Sequence, residues 1–304
     1  MDRTRFQAMP RAAHPYRAAD SIRSSPRAGA VLLVLGGIVS VQVGASIAKE
    51  LFDEIGPAGA VFLRIGLAAI ALVALWRPSI RGIGRRRAAD VAMFGFVLAA
   101  MNFSFYLALD RIPLGIAVTF EFVGPLAVAI WGSRRRADLV WVALAAVGIV
   151  LLSPSPGGSV SLLGAGLALL AGSFWAAYIL LSARVGRTMP GGGGLALAMA
   201  VGTVLLLPAG WAHRSELADW GVLASGLALA ALSSAIPYSL ELEALRRLPR
   251  ATFGVMMSLE PAVAAAVGFV VLGQDLSVRE LVAIGLVVIA CAGALRTMPA
   301  AAEV

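Results

Sequence analysis

Between residues 29 and 296 the chain is almost wholly a series of apolar runs, each near the length that crosses a bilayer. Ten are placed at 29–49, 58–76, 89–109, 113–132, 138–153, 161–182, 194–212, 219–240, 250–272 and 278–296. About 20 apolar residues in a helix span the hydrocarbon layer. Within that layer every backbone polar group must bond internally, which makes helices the expected elements. Composition agrees: 60% of residues are hydrophobic and 14% charged, against about 45–50% and about 25% in ordinary soluble domains. The expected fold is an all-α polytopic membrane protein.

Basic residues set the orientation. A net charge of +8 would suit nucleic acid, but the arginines sit in short clusters between apolar runs and not on one surface. No nucleic acid is expected as a partner. With the N-terminus inside, Arg3, Arg5, Arg11, Arg17, Arg23 and Arg27 are cytoplasmic, followed by Arg77, Arg81 and Arg85–Arg87, then Arg134–Arg136. Arg184, Arg187, Arg246, Arg247, Arg250 and Arg296 complete that side, a total of twenty, against Lys49, Arg111, Arg214 and Arg279 on the other. Such a bias marks the cytoplasmic side. Both termini are expected there, with residues 1–28 a disordered Arg-rich tail and 297–304 a short one. The first apolar run is longer than the core of a cleaved signal peptide. Cys291 stands alone in an apolar run, so no disulfide or metal framework is expected.

Sliding the chain by 136 residues sets Pro113 on Pro249, Pro125 on Pro261, Gly36 on Gly172 and Ser46 on Ser182. Ala108-Leu109 and Ile112-Pro113 then match Ala244-Leu245 and Leu248-Pro249. Residues 29–153 and 161–296 read as two five-helix repeats. Five is odd, so the copies have opposite orientation. Inverted repeats with interrupted helices in matching positions belong to secondary transporters, whose sites lie near the midplane.

The sharpest interruption is in residues 112–132. Glu121 lies near the centre of that run, where a charged side chain such as Asp costs about 2.5–3.5 kcal/mol on insertion scales. Pro125, four residues on, has no N–H, so the Glu121 carbonyl loses its intrahelical partner. Freed backbone is tolerated at membrane depth only where protein or a water-filled cavity receives it. Glu121 reads as a substrate-binding or proton-carrying group; the plainer alternative is a buried carboxyl bonded to a neighbouring helix. In the second half Pro261 frees the carbonyl of Met257, equivalent to Glu121, and the acid moves to Glu260. Pro237 likewise frees the carbonyl of Ser233.

Other polar residues at membrane depth are Gln42, Ser46, Asn102, Tyr106, Tyr178 and Tyr238, all candidates to orient a substrate. Burying Arg64 is also costly, so a partner is expected: a structural ion pair with a carboxylate and contact with a substrate carboxylate are both open. Lys49 either snorkels to the interface or meets the substrate carboxylate. There is no Gly-x-x-x-x-Gly-Lys-[Ser/Thr] loop, no His-Glu-x-x-His and no paired nucleophile and base. No enzyme, metal or cofactor is expected, and transport must draw on a gradient.

Four stretches carry a resemblance: Ser40-Val-Gln-Val-Gly-Ala-Ser-Ile-Ala-Lys-Glu-Leu-Phe52, Ile112–Ala129, Ser233-Ser-Ala-Ile-Pro-Tyr-Ser-Leu-Glu241 and Arg250–Pro261. Over residues 30–296 the chain resembles the drug/metabolite transporter superfamily, in its ten-helix branch with two EamA-type repeats. The resemblance implies export of small neutral amino acids of the threonine and homoserine kind from the bacterial inner membrane, against proton entry. Substrate, protons and lipid are the implied partners, with homodimerisation left open. Export of another metabolite or a drug is the alternative within transport; a membrane-embedded enzyme or structural subunit is the alternative outside it.

Overall fold

The computed structural model describes residues 26–81, 83–112, 114–133, 136–152, 161–213, 215–263 and 277–297. Most of the N-terminal tail, Pro113, Arg134, Arg135 and part of the ninth apolar run lie outside them, as do the side chains of residues 45–50.

The described chain is helical throughout and contains no strand. Its elements are α1 (Pro26–Trp76), α2 (Arg85–Leu109), α3 (Leu114–Glu121), α4 (Val123–Gly132), α5 (Arg136–Leu152) and α6 (Leu162–Thr188). Then come α7 (Gly193–Leu205), α8 (Leu207–Ala212), α9 (Trp220–Ala230), a π-turn (Ala231–Ala235), α10 (Ile236–Arg247), α11 (Arg250–Met257) and α12 (Val278–Thr297). Among the described residues five helices are long and apolar enough to cross a membrane: Leu51–Trp76, Arg85–Leu109, Leu162–Thr188, Trp220–Arg247 and Val278–Thr297. Shorter apolar helices occupy Ala28–Gly44, Ile116–Gly132, Asp138–Leu151 and Gly193–Leu205.

Within the described residues the apolar runs are helical, with differences at their ends and breaks. The first two are continuous except at Gly56, whose φ of 64° and ψ of 172° interrupt the helix before Pro57. Only glycine enters that region readily, and proline is well suited to begin the next turn. The fourth run breaks at Phe122, between α3 and α4, three residues before Pro125. The sixth and eighth run on to Thr188 and Arg247, beyond the expected ends. Their polar last turns carry arginines, whose charge suits a helix C-terminus.

Helix starts are capped where water would otherwise compete. Ser161 Oγ accepts from Gly164 N, and Asp219 Oδ1 accepts from Gly221 N (2.7 Å) and Val222 N. At α12, Ser277 N and Oγ both donate to Glu280 Oε2, and Glu280 N donates back to Ser277 Oγ, a reciprocal capping box. Large apolar side chains such as Leu32, Ile70, Leu75, Val150 and Ile289 are exposed on the outer surface, as surroundings of lipid require.

α1 is the hub of the main core and packs on α2, α7, α9, the π-turn and α10. α2 lies along α6, α4 crosses α11 and α6, and α5 lies along α12. A separate cluster of Ala129, Val142, Ala145, Val255, Val287, Ala290 and Cys291 fills the space among α4, α5, α11 and α12. Cys291 is a small core residue there, its thiol against the Val255 carbonyl at 3.4 Å.

Candidate functional site

The site begins with a helix that cannot bond itself. In the π-turn, Ile236 N bonds back to the Ala231 carbonyl, one residue beyond the α-helical partner. Pro237, next in line, has no N–H to give. The carbonyls of Leu232 and Ser233 are both taken by α1: Ser40 Oγ donates to Leu232 O (2.6 Å) and Arg64 Nη2 donates to Ser233 O (2.5 Å). The acceptor that Pro237 was expected to free therefore has a donor, from a helix 169 residues away in sequence. Close approach depends on Gly44, where an added Cβ would lie 2.1 Å from Ser233 Oγ.

Arg64 organises what surrounds it. Nε donates to Ser234 Oγ (2.7 Å), Nη1 to Tyr106 Oη (2.8 Å) and Nη2 also to Tyr238 Oη (3.1 Å). The guanidinium carbon lies 5.6 Å from the Tyr106 ring centre and 5.9 Å from that of Tyr238, within range of cation–π attraction. Asn102 Nδ2 donates to Tyr238 Oη (3.0 Å), and Tyr238 Oη donates to Asn102 Oδ1 (3.1 Å). Tyr106 packs edge-on against Phe52 at 4.8 Å. Arg64, Asn102, Tyr106 and Tyr238 are all buried. Among the described residues Arg64 belongs to no ion pair. Its ties are to hydroxyls and a carbonyl.

Three carboxyl groups lie close enough to feel the Arg64 charge: Glu121, Glu241 and Glu260. Glu121 ends α3, where the backbone runs directly against α6. A Cβ on Gly172 would lie 2.5 Å from the Glu121 carbonyl oxygen, and one on Gly124 would lie 1.9 Å from the Gly172 carbonyl oxygen. Two facing glycines thus let this broken helix touch α6 backbone to backbone. Glu260 follows α11; its carbonyl accepts from Gln42 Nε2 at 3.3 Å. Glu121 and Glu260 are half-buried residues. Glu241, on α10, is buried at 4% exposure and accepts from Tyr178 Oη at 2.8 Å.

The residues singled out in the sequence therefore converge. Gln42 reaches the second helix break, and Asn102, Tyr106 and Tyr238 join Arg64. Met257 is buried one turn before Pro261. Tyr178 lies 5.4 Å from Tyr238, ring to ring. The side chains of Ser46 and Lys49 lie outside the described residues. Sequence reasoning missed Ser40 and Ser234 as members of this network, and Glu241 beside Tyr178. Glu241 stood one residue past the expected end of the eighth run, and no proline four residues on marked it. A cleft of about 730 Å³ lies elsewhere, lined by Trp131, Asp138, Trp141, Arg250 and Thr252 among others, and none of the Arg64 network borders it.

Comparison with known proteins gives consistent relatives. Residues 162–296 match the model of the EamA-like transporter family. The threonine/homoserine exporter RhtA of Escherichia coli (strain K12) is 41% identical over 281 residues, covering 91% of this chain and 95% of its own. The exporter of the same name from Salmonella typhimurium (strain LT2) is 40% identical over 271 residues, covering 88% and 92%. One crystal structure shares the fold at a TM-score of 0.71 and 17% identity, covering 88% of this chain and 96% of that one.

Proposed function

The chain belongs to the EamA-like transporter family, and on that premise we propose that it exports threonine, homoserine and similar small neutral amino acids across the bacterial inner membrane. It is a transporter and not an enzyme. Both termini lie in the cytoplasm, and residues 29–153 and 161–296 form two inverted five-helix repeats. Helix pairing supports that arrangement, because α4 in the fourth run meets α11 in the ninth and α5 in the fifth meets α12 in the tenth, runs that correspond under the 136-residue offset.

One observation carries the reading: a buried guanidinium that no described carboxylate pairs, with the carboxyl groups of Glu121 and Glu260 close enough to feel its charge. A zwitterionic amino acid supplies what such a site lacks. Its carboxylate approaches Arg64, and its ammonium is held by Glu121 with the carbonyls of Glu121 and Met257, which Pro125 and Pro261 cannot serve. Gln42, Asn102, Tyr106, Tyr178 and Tyr238 orient it. Protonation of Glu121 or Glu260 couples export to proton entry, since burial disfavours the charged form of a carboxyl. The two halves then rock about the site in alternating access.

The test is counterflow in proteoliposomes: vesicles loaded with unlabelled threonine should accumulate labelled threonine and homoserine. Absence of saturable exchange, or displacement only by amphiphilic drugs, would overturn the assignment.

A further inference from the structure

Glu241 is the one carboxyl of the three that is buried and bonded to a side chain. Tyr178 of α6 donates to it at 2.8 Å, and no described cation pairs with it. The groups facing it are Tyr178 from α6, Arg64 from α1, Glu260 from beyond α11 and Tyr238 from its own helix; α7 and the π-turn contribute no titratable residue. One turn beyond Tyr178 on α6, the Ser182 hydroxyl is fully buried. Both helices run on from here to arginine-rich ends, α6 to Arg184 and Arg187, α10 to Arg246 and Arg247.

Charge counting decides what such a group can hold. With Glu121, Glu241 and Glu260 all ionised around Arg64, two negative charges would go uncompensated, and a low-dielectric interior strongly opposes that. A zwitterionic substrate brings one charge of each sign and leaves that sum unchanged, so protons must balance it. Glu241 is 4% exposed and one of its oxygens already accepts from the Tyr178 phenol, which suits it to hold a proton and not an amino acid.

We propose that Glu241, with Tyr178 as its hydrogen-bond donor, is the proton-release site of the transport cycle, set between the Arg64 network and the arginine-rich end. This rests on the proton-coupled export proposed above. The Glu241 carboxylate takes up a proton that entered from the opposite face, becomes the neutral acid, and returns that proton to water at the arginine-rich end. No bond other than O–H forms or breaks, and the proton gradient supplies the drive.

The experiment uses the full chain in proteoliposomes, reading threonine/threonine exchange and accumulation of labelled threonine into acid-loaded vesicles. Wild type is measured first; if it exchanges threonine but no pH gradient drives accumulation, the coupled reading itself fails and this proposal with it. Otherwise Glu241→Gln should exchange threonine at the wild-type rate and lose gradient-driven accumulation. Glu241→Asp should recover part of that accumulation with its pH profile displaced, which a merely structural role would not produce. Wild-type accumulation by Glu241→Gln overturns the proposal. So does loss of exchange in a Glu241→Gln protein that remains monodisperse in detergent, because it places Glu241 in the substrate site. Should Glu241→Gln not fold, Glu241→Asp decides: an unchanged pH profile of accumulation overturns the proposal.

Discussion

Asn102 and Tyr238 stand 136 residues apart in the chain and exchange two hydrogen bonds, 3.0 Å from amide to phenol and 3.1 Å from phenol to amide. That separation is the offset that superposes Pro125 on Pro261. Under the proposed repeat, each residue is bonded to its own counterpart. Counterparts meet only where a twofold axis passes, so the proposed axis runs beside Arg64, and an inverted repeat puts its axis in the membrane plane.

Coupling across that pair is measurable. Asn102→Leu and Tyr238→Phe together should be non-additive by about 0.5–3 kcal/mol in detergent unfolding, as for contacting residues. Asn102→Leu combined with Ser173→Ala, an exposed site on α6, should add within about 0.3–0.5 kcal/mol. Equal behaviour of the two pairs would remove the contact from the axis.

Arg64→Lys should abolish export while leaving a folded protein. An ammonium is a single point of donors and cannot reproduce the planar fork that reaches Ser233, Ser234, Tyr106 and Tyr238 at once. Arg64→Met should also lower stability, by about 1–3 kcal/mol for a buried acceptor left without a donor. Thermal unfolding in detergent beside an export assay separates the two effects, and full export by the lysine variant would refute the need for a fork.

Pro237→Ala returns a backbone N–H to the π-turn. That N–H should compete with Arg64 for the Ser233 carbonyl and let α9 and α10 wind continuously. The expected result is a protein as stable as the wild type or more so, with reduced exchange, read from unfolding and counterflow on one preparation.

Gly124→Ala and Gly172→Ala should each be severe, because the clash is with backbone that no rotamer relieves. Gly166 on the same helix has open space around it, so Gly166→Ala should shift stability by no more than about 0.5 kcal/mol. Fluorescence-detected gel filtration after a heating series ranks the three.

Glu121→Gln keeps the shape of the side chain and removes its charge. Export should lose both affinity for threonine and its response to a pH gradient. Full gradient-driven uptake by this variant would take Glu121 out of the proposed role.

Much of this was legible in advance. Apolar run lengths placed the helices, because a bilayer leaves the backbone few alternatives, and three prolines marked the turns where α3, the π-turn and α11 are interrupted. The donor for the carbonyl freed at Ser233 was not legible: Arg64 read as one side of an ion pair or as a substrate contact. What decides between partners is which helix lies across the π-turn, and that depends on Gly44 allowing α1 to come close. Glu241 went unremarked for a related reason, since its significance comes from Tyr178 on another helix and no local pattern announces it.

The bond from Arg64 to Ser233 ties occupancy to the winding of a helix. Under the proposed site, an incoming anion that draws the guanidinium toward itself would strip the Ser233 carbonyl of its donor, and the proline four places on has none to lend. The turn would then rewind or recruit solvent, and the arrival of cargo on one helix would be felt as a change of pitch in another.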